Sequence, residues 1–220
     1  MTDTIAMAGL YIVPLLLGVI LHEIAHGWTA EKLGDPTARL SGRITLNPLV
    51  HVDPVGTVIL PLILIVTNAP FLFGWAKPVP VRFDLLRGGR RAGAWVALSG
   101  PLTNLTLAFV ASLLYRLLLL AFQSGWVQGG SLSSWVLVPV FRMTEIAIIF
   151  NLVLMVVNLL PVPPLDGGRA MVGLLPEGPA YALSRLEPYG MLIVLLLIAT
   201  GAWSYVVSPV VSLFLYLLVG

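Results

Sequence analysis

IAMAGLYIVPLLLGVIL, residues Ile5 to Leu21, runs without one side chain charged at neutral pH straight into His22-Glu23-Ile24-Ala25-His26. An apolar run of this length predicts a membrane-crossing helix, since about 20 residues cover the hydrocarbon core. Ionisable groups at membrane depth are costly and are retained for a function. Residues four apart share one helix face, so His22 and His26 can both reach a single zinc ion. Glu23 beside them can act as base on the water that the zinc activates. Two of the three histidines in the chain fall in this pattern.

Composition agrees with a membrane protein. Of 220 residues, 58% are hydrophobic and only 10% are charged, against roughly 25% charged in a soluble domain. The mean hydropathy is +0.98. Lipid cannot satisfy an open backbone, so the expected fold is an all-α integral membrane bundle. The length suits one domain of about five to six spans, at about 20 apolar residues each. The N-terminal run is not read as a signal peptide. It lacks a positive n-region, and HEIAH stands where a small-residue cleavage site would be. The absence of cysteine excludes disulfides and thiolate ligands. A net charge of +2 is no nucleic-acid signature, and the basic residues are better read as topology markers.

The first span is expected at Thr4 to Ala30, followed by a polar stretch from Glu31 to Asp53. A short apolar run, Val55 to Val66, contains Pro61, and Ala69 to Arg91 is rich in Pro, Gly and Arg. Two long apolar segments, Ala92 to Phe122 and Trp135 to Leu160, flank the uncharged loop Gln123 to Ser134. Two shorter spans are expected at Ala180 to Thr200 and Trp203 to Val219. Eight of the twelve Lys and Arg lie between His26 and Ala92. The positive-inside rule then puts these stretches in the cytoplasm of a multi-pass cell-membrane protein whose N-terminus is outside. Val55 to Val66 reaches only about 18 Å, so it is expected to be re-entrant, entering and leaving on the cytoplasmic side. Arg116 and Arg142 fall near outer ends, and Arg142 is in reach of Glu145 at i+3. With this topology HEIAH, Gly100-Pro101-Leu102-Thr103-Asn104 and Asp166 come to one depth.

A catalytic zinc takes three protein ligands and an open position. Asp166, in Leu-Asp-Gly-Gly after a Pro-rich break, fits the third place. It equally fits the start of a helix, where Asp caps backbone N–H groups. His51 is a rival ligand, and Glu145 is a weaker one on the outer side.

Three motifs, in order, resemble the site-2 protease family of intramembrane zinc metalloproteases. They are His22-Glu23-Ile24-Ala25-His26, Ser99-Gly100-Pro101-Leu102-Thr103-Asn104, and the run from Asn158 to Arg169, NLLPVPPLDGGR. The resemblance covers about residues 10 to 175. Asn47 to Thr57 and Phe73 to Pro80 resemble its short, single-domain prokaryotic branch. The resemblance implies that His22, His26 and Asp166 hold one zinc per chain. It implies that Glu23 is general base and later proton donor, and that Asn104 hydrogen-bonds substrate or the developing oxyanion. His51 is not among the shared ligands and is left as an accessory candidate. The implied partners are the lipid bilayer and a membrane protein whose transmembrane helix is cleaved. Gly42 to Leu46 and Val79 to Phe83 show partial alternation, so short cytoplasmic strands that pair with an unwound substrate are expected. Two rivals remain on the residues alone: a metal transporter and a catalytically inactive membrane scaffold.

Overall fold

The computed structural model describes residues 2–68, 74–125 and 132–220. Residues 69–73, which include Phe73, and residues 126–131 of the Gln123–Ser134 loop lie outside the described residues. Among the described residues nine α-helices follow in order: α1 (Thr2–Lys32), α2 (Thr37–Leu40), α3 (Leu60–Val66), α4 (Gly89–Gln123), α5 (Leu132–Asn158), α6 (Asp166–Leu174), α7 (Glu177–Ser184), α8 (Glu187–Ala199) and α9 (Ala202–Val219). Among the described residues there is no strand. Gly42–Leu46 and Val79–Arg82 stay irregular or extended, and the two segments make no ladder with one another.

Four helices are long and apolar enough to cross a membrane: α1 from Gly9, α4, α5 from Ser134, and α9. The pair α7–α8 passes the same test only as one unit, and it is bent by 64° at Arg185–Leu186. Pro188, at the start of α8, is one reason for the break, since it has no N–H to carry a helix through. Helix direction decides the number of crossings. The Arg116 side chain of α4 donates to the Leu218 carbonyl at the end of α9, at 3.0 and 2.8 Å. Val207, near the start of α9, packs with Ala108, Leu152 and Val156. So α9 runs parallel to α4 and antiparallel to α5. The chain from Leu159 to Gly201 therefore begins and ends on one face, and α7–α8 makes no net crossing. Four helices, or five with α7–α8 taken as one broken span, answer to the five to six spans expected. Arg116 caps the free Leu218 carbonyl at the end of α9 rather than only reaching for the interface.

The core of the bundle is a seam of Ala108, Ile148, Leu152, Met155, Val207 and Val211 between α4, α5 and α9. Lipid tails are as apolar as these side chains, so close packing and buried hydrogen bonds hold the spans together. Arg142 pairs with Glu145 at 3.0 Å, as the i,i+3 spacing predicts. The apolar run near Pro61 forms a wide turn, Pro54–Ile59, that continues into α3. The chain then returns to its starting point, where the Trp75 N–H donates to the Gly56 carbonyl at 3.2 Å.

Candidate metal centre

His22 and His26 stand one turn apart near the C-terminal end of α1, with ring centroids 4.6 Å apart and planes at 87°. Both rings are buried. Each is turned by its Nδ1. His22 Nδ1 is 2.6 Å from Asn104 Oδ1 on α4, and His26 Nδ1 is 2.7 Å from the Val96 carbonyl on the same helix. With Nδ1–H donating outward, the Nε2 lone pairs are the ones presented to each other, 3.0 Å apart.

Asp166 completes the group. The chain leaves α5 at Asn158, turns through the proline-rich loop, and enters α6 at Asp166. The carboxylate makes no capping bond to the helix it begins. It faces the imidazoles instead, with Oδ2 at 3.0 Å from His22 Nε2 and 3.3 Å from His26 Nε2. The Asp-Gly-Gly sequence is what makes this placement possible. A Cβ on Gly167 would sit 2.2 Å from the Leu159 carbonyl, and one on Gly168 would sit 2.2 Å from Pro163 N. Any side chain there would push α6, and Asp166 with it, off the loop.

One ligand atom from each of His22, His26 and Asp166 lies within 4.8 Å of the others. Two imidazole nitrogens and one carboxylate oxygen are a zinc donor set with one position left open. Gly100 of α4 completes the cradle. A Cβ there would be 2.5 Å from His26 Nε2 and 2.6 Å from His22 Nε2. Gly100→Ala should therefore displace imidazoles that Asn104 and Val96 hold fixed. The expected loss of metal affinity is about 10–100-fold, as for lost outer-shell support. Competition with a chelating dye measures it, and parent affinity in a folded variant would contradict this packing.

Glu23 lies beside the cluster, and its Oε2 accepts the Val79 N–H at 2.8 Å. Val79 belongs to an extended strap, Gly74–Arg82, tied down along one edge. The Lys77 N–H donates to the His51 carbonyl at 2.8 Å, Arg43 donates to the Lys77 carbonyl at 2.6 Å, and the Arg82 N–H donates to Asp35 at 2.6 Å. Asp35 is fully buried. Burial pushes its carboxyl up, but hydrogen bonds from Thr37 and from the Arg82 N–H outweigh this and hold it below the usual range.

His51 is not brought into the metal-ligand group. It is buried in a 3-10 turn, Pro48–His51, with Nε2 at 3.0 Å from the Thr45 carbonyl. Glu145 is engaged with Arg142. Asn104 is wholly buried and fully committed: Oδ1 to His22, and Nδ2 to the Gly18 carbonyl at 3.2 Å and to Asn151 Oδ1 at 2.8 Å. Sequence reasoning passed over Asn151. Its signal was an amide in the middle of the apolar run of α5.

Taken together, fold and site define a multi-pass helical membrane protein with a buried His-His-Asp group suited to one metal ion. Over 201 residues the chain is 38% identical to "Putative zinc metalloprotease YwhC" of Bacillus subtilis, covering 91% of this chain and 85% of that protein. It is 29% identical over 187 residues to "Putative zinc metalloprotease Rip2" of Mycolicibacterium smegmatis, covering 85% of this chain and 65% of that one. The identity to the Rip2 of Mycobacterium tuberculosis is 28% over 196 residues, covering 88% and 69%. No family model matches the chain, and no solved structure matches it. The chain belongs to the family of YwhC, and the relatives named above carry the name "Putative zinc metalloprotease".

Proposed function

We propose that this protein is an intramembrane zinc metalloprotease of the site-2 type, cleaving a peptide bond in or near a transmembrane helix of another membrane protein. The observation that carries the reading is the convergence of His22, His26 and Asp166, from α1 and α6, with Glu23 alongside. These three residues would hold one zinc. Zinc polarises a carbonyl and lowers the pKa of water, which is the chemistry amide hydrolysis needs. Glu23 takes a proton from the attacking water and delivers it to the leaving amine. The Val79 N–H holds the other geometry of this carboxylate, leaving Oε1 free to work. Asn104 orients His22 rather than touching substrate, because both of its amide N–H bonds are already used. His51 keeps an accessory reading, since its Nδ1 is buried without a hydrogen-bond partner.

The active site faces the cytoplasm, as the basic residues around it suggest. Substrate must unwind before its amides are accessible. An apolar cavity of about 370 Å³ beside Pro101, Leu102 and Leu160 suits side chains of a helix arriving through lipid. On the strap Pro78 and Pro80 have no N–H to give, and the N–H groups of Trp75, Lys77, Val79 and Arg82 are engaged. Ile44–Leu46, half-buried at Ile44 and Thr45 and exposed at Leu46, is therefore the better segment for pairing with an unwound substrate. A carrier reading loses support because Glu145, the acidic group of the outer half, is engaged with Arg142. The test is zinc content together with cleavage of a transmembrane-segment reporter in detergent. One zinc per chain and chelator-sensitive cleavage are expected; a folded chain that binds no zinc contradicts the proposal.

A further inference from the structure

We propose that Asn151 is a positioning residue for the metal centre, acting through Asn104 to fix which nitrogen of His22 carries the proton. The proposal rests on the metal-site reading above. Three groups form a relay with one direction. The Asn151 Nδ2 group donates to the Ala147 carbonyl of its own helix at 2.8 Å. That turns Asn151 Oδ1 towards α4, where it accepts from Asn104 Nδ2 at 2.8 Å. Asn104 Nδ2 also donates to the Gly18 carbonyl of α1 at 3.2 Å. The only acceptor left on Asn104 is Oδ1, and it faces His22 Nδ1 at 2.6 Å. A lone acceptor there requires Nδ1–H, which leaves the Nε2 lone pair for a metal.

The reverse orientation of Asn104 has a definite cost. Its Oδ1 would stand against two other oxygens, Asn151 Oδ1 and the Gly18 carbonyl. Its Nδ2 would donate to His22 Nδ1, forcing the proton onto Nε2 and blocking the metal position. Asn151 is buried at 3% exposure, so water does not substitute for it. Gly18 is small for the same reason: a Cβ there would meet Asn151 Oδ1 at 3.0 Å. Three spans thus meet at one amide pair that sets one tautomer. Replacing Asn151 by leucine leaves only the Gly18 carbonyl to hold Asn104. Replacing it by aspartate keeps an acceptor of the same shape.

The experiment uses the full chain in detergent, with the parent, Asn151→Leu and Asn151→Asp. Zinc affinity is read by chelator competition. The protonated ring nitrogen of His22 is read by 15N NMR of the metal-free, histidine-labelled protein at alkaline pH, with His22→Gln giving the assignment. The parent is expected to show Nδ1–H. Asn151→Leu should show a mixture with Nε2–H and about tenfold weaker zinc binding, at the low end of outer-shell effects. Asn151→Asp should keep both parent properties. A parent with Nε2–H overturns the proposal, and so does a leucine variant with the parent tautomer and affinity. An aspartate variant as impaired as leucine also overturns it, because an acceptor of the same shape would then not be enough. Where leucine does not fold, Asn151→Ala takes its place, and the parent spectrum still decides. A parent that binds no zinc sinks the metalloprotease reading, while the tautomer measurement tests the relay independently.

Discussion

Asp166→Ala should empty the metal centre while leaving the bundle standing. The carboxylate is the only one of the three ligands that does not come from α1. Without it, two imidazoles on one helix face remain, and a two-ligand site is far weaker than a three-ligand one. The loss of zinc affinity should exceed the 10–100-fold typical of outer-shell changes. The backbone has little reason to move, since Asp166 makes no cap bond and α6 is seated through Gly167 and Gly168. The metal-free protein should keep its stability, because Asp166 Oδ2 faces Nε2 atoms that present lone pairs and has no hydrogen-bond partner to lose. Zinc content by elemental analysis, with a melting curve on the same preparation, separates loss of metal from loss of fold. A folded Asp166→Ala protein retaining one tight zinc would show that another group completes the site, with His51 first in line.

The metal centre was legible because its chemistry is expensive. Two histidines and a glutamate in a run without other charge have no cheap explanation in a membrane, and their i,i+4 spacing fixes a shared helix face. Asp166 was legible as a position but ambiguous as a role. Asp-Gly-Gly after prolines suits a helix cap as well as a ligand, and only the loop geometry turns its carboxylate onto the imidazoles. The Ser99–Asn104 motif falls on the stretch of α4 that packs against the histidines, and the resemblance implied that Asn104 hydrogen-bonds substrate or the developing oxyanion. Both of its amide hydrogens are engaged here, one of them with Asn151, a partner that sequence cannot reveal because it comes from another helix.

The span count at the C-terminus stayed open for a related reason. Ala180–Thr200 has the composition of a span, but composition carries no direction. The bond from Arg116 to the Leu218 carbonyl sets α9 parallel to α4, and only that contact shows that the preceding pair makes no net crossing. The expected short strands also depended on partners. An alternating pattern forms a strand when another edge pairs with it. Here the strap spends the N–H groups of Trp75, Lys77 and Val79 on a carbonyl of the nearby loop, a second such carbonyl and the Glu23 carboxylate.

Glu23→Gln should abolish proteolysis and leave metal binding intact. The substitution keeps the size of the side chain, and a glutamine carbonyl can still accept the Val79 N–H that Glu23 accepts at 2.8 Å. The strap and the two neighbouring histidines therefore have no reason to shift, and zinc content should match the parent. What disappears is the base. An amide side chain cannot take a proton from water at neutral pH or hand one to the departing amine. General acid–base catalysis contributes about 10²–10⁴-fold, and Glu23 would serve in both steps. The expected drop is at the upper part of that range, in kcat rather than KM, because the strap contact is preserved. Single-turnover cleavage of a reporter that the parent cleaves gives the rate, and elemental analysis of the same sample gives the zinc. Cleavage at the parent rate would remove Glu23 from the mechanism. Loss of zinc along with activity would instead mean that its carboxylate supports the ligands, with the Val79 contact part of that support.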